Sequence, residues 1–292
     1  MKGHFFMRKC HSLFKLAFPV LVHLMVCCGT APRSADEPFD FAVLDVGQGL
    51  SQIGVSGGRA IVWDMGLDSA FPLWQAGYAR LGSPAIMAIA ISHTDGDHAG
   101  GLGMLPLSID FTGVVIVHPH LDTAALRAAA GQWRTKAVFC VRSAGDTLGG
   151  LDGVIIHCLW PPREFERPAG ATDDQYRNRA SFCFRIVHGS NSAFISSDID
   201  TAAERALSRR YGYGLQSEIL VVPHHGSRGS VDPAFFGFIR TQEAIISCSL
   251  PNEYGHPAPE MIELLASLGA RIRITADDGD VVLRSNGMYW CD

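Results

Sequence analysis

The feature that most constrains this chain is a junction. The unbroken apolar run Ile86–Ile91 passes directly into Ser92-His93-Thr94-Asp95-Gly96-Asp97-His98-Ala99-Gly100-Gly101. A short apolar run that ends in polar turn formers predicts a strand buried on both faces. Such a strand needs a layer on each side, which points to a mixed α/β architecture. Two histidines and two aspartates within six residues, on a loop at the strand's C-terminal end, suit convergence on metal. Gly96 permits a tight turn there, and Gly100-Gly101 lets other backbone come close.

The flanking sequence supplies the layers. Strands are predicted at Phe39–Asp45, Ser51–Val55 and Ala60–Asp64, the last two joined by a Gly57-Gly58 hairpin turn. A helix follows at Leu67–Leu81. Beyond the metal-type loop come strands Val114–Val117, Ala137–Val141 and Val154–Trp160, with a helix at Asp122–Gln132. Residues 161–180 are polar, aperiodic and rich in Pro and Arg, and predict a long surface loop. The second half repeats the style. It has strands Ser181–Val187, Ala193–Ser196, Glu218–Val222 and Ala244–Ser247, helices Thr201–Tyr211 and Pro259–Leu268, and a C-terminal meander Arg271–Trp290. Cys183 and Cys248 sit inside apolar runs and read as small buried hydrophobes. No C-x-x-C pair argues for a structural zinc knuckle.

Four further motifs carry candidate chemistry. Val221-Val222-Pro223-His224-His225-Gly226-Ser227 places two histidines beyond an apolar strand. In Ser196-Ser197-Asp198, the aspartate suits either a metal bridge or a helix cap. His256 lies in Tyr254-Gly255-His256-Pro257, on a loop before a helix. The glycine turn Leu44-Asp45-Val46-Gly47-Gln48-Gly49, with Asp64-Met65-Gly66 soon after, lacks the Lys-Ser/Thr pair and following helix of a phosphate loop.

In order and spacing these motifs resemble the metallo-β-lactamase superfamily, and within it the hydrolase domain of ComEC-type DNA-uptake proteins. The likeness runs over residues 40–292. Asp45–Gly49 resembles the family's DVGQG, Trp63-Asp64-Met65-Gly66 its IDTG-like strand end, and His93, Asp95, Asp97 and His98 its HxDxDH. Trp160-Pro161-Pro162, Asn178 and Ser181 match its PP and NxxS elements; Ser196-Ser197-Asp198 matches TGD, and His224–Ser227 matches HHGS. The resemblance implies an αββα sandwich over residues 36–292, two mixed sheets with helices outside. It implies a metal-dependent hydrolase with one or two divalent ions, zinc or manganese, held by His93, Asp95, Asp97, His98, Asp198 and one of His224 or His225. Asp97 would orient or deprotonate the attacking water, and His256 would stabilise charge or protonate the leaving group. Three departures stand out. Leu50 follows the glycine turn where many relatives have an acid, Ser197 replaces the glycine of TGD, and Asp95 replaces the more usual histidine. No histidine matches the mid-chain ligand of other superfamily members; His118 and His120 read as structural or surface residues. The membrane-channel regions of ComEC-type proteins have no counterpart in this sequence.

Charge bears on the substrate. The chain has 24 basic and 29 acidic residues, a net charge of −5. Residues 1–35 hold Lys2, Arg8, Lys9, Lys15 and Arg33 and no acid, which leaves the body at −10. Such a body does not bind nucleic acid through a general positive field. A phosphodiester, DNA above all, would need a local path. The candidate is the loop with Arg163, Arg167, Arg177 and Arg179, together with Arg228, with Asn178, Ser181 and Ser227 as further contacts. The rival substrates are a small ester, amide or lactone; the rival class is a non-catalytic binding module. In residues 1–35, positive charge precedes an apolar stretch from Leu16 to Cys28, which predicts a signal peptide or N-terminal anchor and an exported, periplasmic or membrane-anchored protein, with the cytoplasm as the alternative.

Overall fold

Trp63 and Ala90 end two adjacent parallel strands, and their order in the sheet fixes where the chemistry can gather. The computed structural model describes residues 37–292; the predicted signal segment at 1–35 lies outside them. The first sheet runs β15 (Trp290–Cys291), β14 (Val281–Ser285), β1 (Phe39–Val43), β2 (Gln52–Ser56), β3 (Arg59–Trp63), β4 (Ala85–Ala90), β5 (Val114–Val117), β6 (Val138–Val141). The second runs β13 (Arg271–Ile274), β12 (Glu243–Ile246), β11 (Ile219–Val221), β10 (Asn191–Ile195), β9 (Cys183–His188), β8 (Val154–Trp160), β7 (Thr147–Leu148). The helices are α1 (Phe71–Arg80), α2 (Gly96–Ala99), α3 (Thr123–Ala129), α4 (Asp173–Arg179), α5 (Thr201–Tyr211), α6 (Pro233–Ile239), α7 (Pro259–Ser267) and α8 (Thr275–Asp278).

Strand alternation builds three apolar layers. Phe39, Phe41 and Val43 of β1 point between the sheets, where they join Trp63, Phe184, Ile186 and Val221. Ala42, Ile53, Val62 and Ile89 point outward against Phe71, Trp74 and Tyr78 of α1 and Leu126 of α3. On the far side Phe194, Leu220 and Ile246 pack on Leu207, Phe235, Met261 and Leu265 of α5, α6 and α7. Strands covered on both faces are therefore apolar throughout, the pattern read at 86–91. The result is the expected αββα sandwich.

Three expectations needed correction. The loop at 161–180 contains α4, closed at its start by a reciprocal cap in which Thr172 Oγ1 accepts from Gln175 N–H and Gln175 accepts from Thr172 N–H. Thr172 followed by Gln175 is the sequence signature of that cap. Helix α6 was not read; its signals are Asp232 at the cap and Pro233 in the first turn. The C-terminal meander is divided between the sheets, for β13 pairs parallel with β12 while β14 pairs antiparallel with β1.

Strands β3 and β4 are parallel, as are β10, β11 and β12. The loops after these five strands carry Asp64, the 92–98 loop, Asp198, the two histidines at 224–225, and Ser247. All leave the sandwich at the carboxyl ends of parallel strands, the usual place for a site in such folds.

Candidate metal centre

The loop after β4 is held by backbone. Leu50 N–H donates to the Asp97 carbonyl at 2.9 Å, Met65 N–H to the His98 carbonyl at 2.7 Å, and Gly101 N–H to the Gly66 carbonyl at 3.0 Å. A Cβ on Gly49 would lie 2.8 Å from the Asp97 carbonyl oxygen, and one on Gly101 would lie 2.3 Å from that of Met65. Both glycines are needed for this approach. The glycine turn at 45–49 is thus a brace for the metal-type loop.

Side-chain hydrogen bonds then set the imidazole rings. His225 Nδ1–H donates to the Ser247 carbonyl at 2.7 Å. His98 Nδ1–H donates to Asp64 Oδ2 at 2.8 Å. Ser92 Oγ donates to Asp64 Oδ2 at 2.7 Å and so accepts from His93 Nδ1–H at 2.9 Å. Each ring spends its Nδ1 proton outward and turns Nε2 inward, the arrangement that outer carboxylates and carbonyls impose on metal-binding histidines.

Among the described residues, Asp97, His98, Asp198 and His225 each bring one donor atom within 4.8 Å of all the others. His98 Nε2 lies 3.2 Å from Asp198 Oδ1, and His225 Nε2 lies 3.5 Å from Asp97 Oδ2. The buried Nε2 atoms of His98 and His225 and Oδ1 of Asp198 have no hydrogen-bond partner. Buried polar atoms are ordinarily satisfied. Orphans from three side chains facing one point, two nitrogens and one oxygen with Asp97 beside them, fit a divalent cation of borderline hardness.

The electrostatics agree. Burial pushes the Asp97 carboxyl up, but the close His225 ring and the His98 charge outweigh it and hold it at about 2. Burial also opposes charge on His98 and Asp198. Their mutual attraction outweighs it, raising His98 well above the usual imidazole range and lowering Asp198. His93 is pushed down to about 3 by burial and then by the charge of His98. Protons and a cation compete for the same atoms.

The remaining candidates fall in several places. Of the paired histidines, His225 belongs to the four-donor cluster. His224 is partly exposed, with its Nε2 3.7 Å from Asp198 Oδ2. His93 and Asp95 stand outside the cluster, 3.6 Å from each other. Asp95 Oδ1 accepts from Arg177 Nε at 2.6 Å. His256 lines the same cleft of about 650 Å³ as Asp97 and Asp198. Burial first, then the charges of His225 and His224, push it down to about 4, so it is neutral at pH 7. Asn178 also lines the cleft, and its Oδ1 is buried without a partner. Ser181 is fully buried and donates to the Asn178 carbonyl, a loop-holding role instead of the expected substrate contact. Ser227 Oγ accepts from Gly229 N–H at 3.2 Å. The expected arginine path is largely consumed internally. Arg167 pairs with Asp173, Arg177 with Asp95 and Asp174, and Arg179 with Asp200. Arg163 and Arg228 are exposed. His118 donates from Nε2 to the Ser92 carbonyl at 2.8 Å and His120 donates to that of Pro162 at 2.9 Å, so both serve the scaffold.

Sequence alone assigned no role to Asp64, Ser92 and Ser247, which orient the rings, or to Gln48, Glu253 and Tyr254, which line the cleft. Asp64 was noticed only as part of a strand end, because its partner His98 lies far along the chain.

Residues 45–179 match the family model described as the metallo-beta-lactamase superfamily. The two-sheet fold and the His/Asp centre agree with that match, so the chain carries a metallo-beta-lactamase-type domain with a candidate metal centre. Among curated proteins it is 28% identical over 241 residues to Competence protein ComA of Neisseria gonorrhoeae, a match covering 79% of this chain and 30% of that protein. It is 27% identical over 202 residues to ComE operon protein 3 of Bacillus subtilis, covering 68% of this chain and 24% of that one. The chain therefore spans about a third or less of these relatives. Among solved structures, the metallo-beta-lactamase fold protein YhfI of Bacillus subtilis superposes with a TM-score of 0.57 at 12% identity, over 85% of this chain and all of that one. Among the described residues no helix is long and apolar enough to cross a membrane.

Proposed function

We propose that this chain hydrolyses phosphodiester bonds, with nucleic acid as the substrate class. The observation that carries the reading is the donor set, in which Asp97, Asp198 and His225 line a cleft with the buried His98 beside them. Carboxylates harden such a site toward the ions that hold phosphoryl oxygens, manganese as well as zinc. Similarity to Competence protein ComA and to ComE operon protein 3 supports the same class. A divalent ion held there would polarise a phosphoryl oxygen and bring the deprotonation of water close to neutral pH. Asp97, ionised at any working pH, accepts a hydrogen bond from the attacking water and aims it. Neutral His256 offers an N–H to the leaving oxygen and delivers no proton as imidazolium. Export or membrane anchoring through residues 1–35 belongs to the same proposal.

One observation favours a second reading, a small neutral ester or lactone. Asp174 and Glu253 line the cleft, and the nearest arginines are already paired. The experiment is hydrolysis of single-stranded DNA, bis(p-nitrophenyl) phosphate, a p-nitrophenyl ester and a lactone by the full chain, with zinc or manganese supplied. The proposal requires turnover of the two phosphodiesters, and on DNA a salt dependence that Arg228→Ala reduces by about one unit of log–log slope or less. Turnover of ester or lactone alone establishes the second reading.

A further inference from the structure

Arg177 sits where a second cation would have to act. It projects from α4, whose position is set by the Thr172–Gln175 cap. Its Nε donates to Asp95 Oδ1 at 2.6 Å, and its Nη2 pairs with Asp174. The Asp95–Arg177 pair also divides two clefts. Asp95 opens to the cleft of about 650 Å³ that holds Asp97 and Asp198. His93 and Arg177 line a neighbouring cleft of about 440 Å³, walled by His118, His120 and Tyr176. His93 is nearly fully buried, and its Nε2 has no partner. Any second ion beside the four-donor cluster would draw on His93 Nε2 and Asp95 Oδ2, which stand 3.6 Å apart. One oxygen of that carboxylate is already taken by a fixed positive charge.

We propose that Arg177 stands in for a second cation: by holding Asp95 it keeps the centre to one tightly bound metal ion. Arg177 is thus a positioning residue for Asp95. The inference rests on the metal-centre reading above. Asp95 keeps its charge neutralised without an ion, and the guanidinium repels any divalent ion that approaches. At a separation of about 5 Å and an effective dielectric constant of about 40–80, that repulsion weakens second-ion binding by roughly 20- to 300-fold.

The test is metal stoichiometry. The metal-free full chain is titrated with zinc and, separately, with manganese; bound metal is counted by elemental analysis, and manganese spin coupling is read by electron paramagnetic resonance. Wild type is expected to take one tight equivalent and to show no coupled pair. Arg177→Gln is expected to bind a second equivalent about 20- to 300-fold more tightly than wild type and to show a coupled manganese pair. Arg177→Lys, which keeps the charge, is expected to stay at one, and adding Asp95→Asn to Arg177→Gln is expected to abolish the gain. Two equally tight equivalents in wild type overturn the inference, and this measurement needs no variant to fold. One equivalent in both wild type and a folded Arg177→Gln also overturns it while leaving the metal centre intact. No bound metal in any form overturns both.

Discussion

Asp64→Asn is the sharpest probe of how this site is built. Asp64 is 1% exposed and carries three hydrogen bonds: Ser92 N–H to Oδ1 at 2.8 Å, and Ser92 Oγ and His98 Nδ1 to Oδ2 at 2.7 and 2.8 Å. Its φ is 54°, a conformation asparagine tolerates well, so the substitution adds little backbone strain. The amide can keep one oxygen on Ser92 N–H. Its NH₂ then faces His98 Nδ1–H, donor against donor. His98 escapes by swinging away or by moving its proton to Nε2, and either removes the lone pair that faces Asp198. Loss of such an outer partner lowers metal affinity by about 10- to 100-fold, which is about 1.4–2.7 kcal/mol. The assay is competition for zinc against a chromophoric chelator, with thermal unfolding of the metal-free chain by circular dichroism as the control for folding. A folded Asp64→Asn protein whose zinc affinity stays within twofold of wild type would refute the argument that Asp64 sets the His98 ring.

Three other outcomes are expected. Asp97→Ala should lower turnover by about 10³-fold or more with metal in excess, since it removes both a donor and the group that aims the water; steady-state kinetics at saturating metal decide this. Glu204 is fully buried, and burial pushes its carboxyl up to about 8. The folded state therefore holds a proton that the unfolded chain releases above about pH 4.5, and stability falls as pH rises toward 8, by on the order of 3 kcal/mol at pH 7. Glu204→Gln should raise the unfolding midpoint in urea, more at pH 8 than at pH 5. His118 is pushed down to about 3 by burial and sits neutral, donating to Ser92 and accepting from His120 N–H. The unfolded chain binds a proton there below about pH 6.5, so this residue costs stability as pH falls, about 2 kcal/mol by pH 5. The stability gap between wild type and His118→Asn should narrow from pH 7 to pH 5, and a constant gap would contradict the assignment.

Much of this protein was legible before any fold was known, and the reason is locality. The 86–91 run, buried on both faces, dictated a strand covered on both sides. The 92–101 loop announced its donors because four ligand-type residues within six positions have few other uses. The glycines at 49 and 101 were visible as permissive positions, though not which backbone they admit. What only the tertiary structure decided are relations between distant residues. Asp64 meets His98 across 34 positions, and Ser247 meets His225 across 22. The choice of His225 over His224 depends on where two adjacent left-handed residues, at φ 51° and 54°, throw their rings. The arginines of the 161–180 segment looked like a free cationic surface because sequence shows charge but not pairing. Folding α4 against the metal loop brings Arg177 to Asp95 across 82 positions. An ion pair is a statement about distance, and distance between remote residues exists only once the sheets have packed.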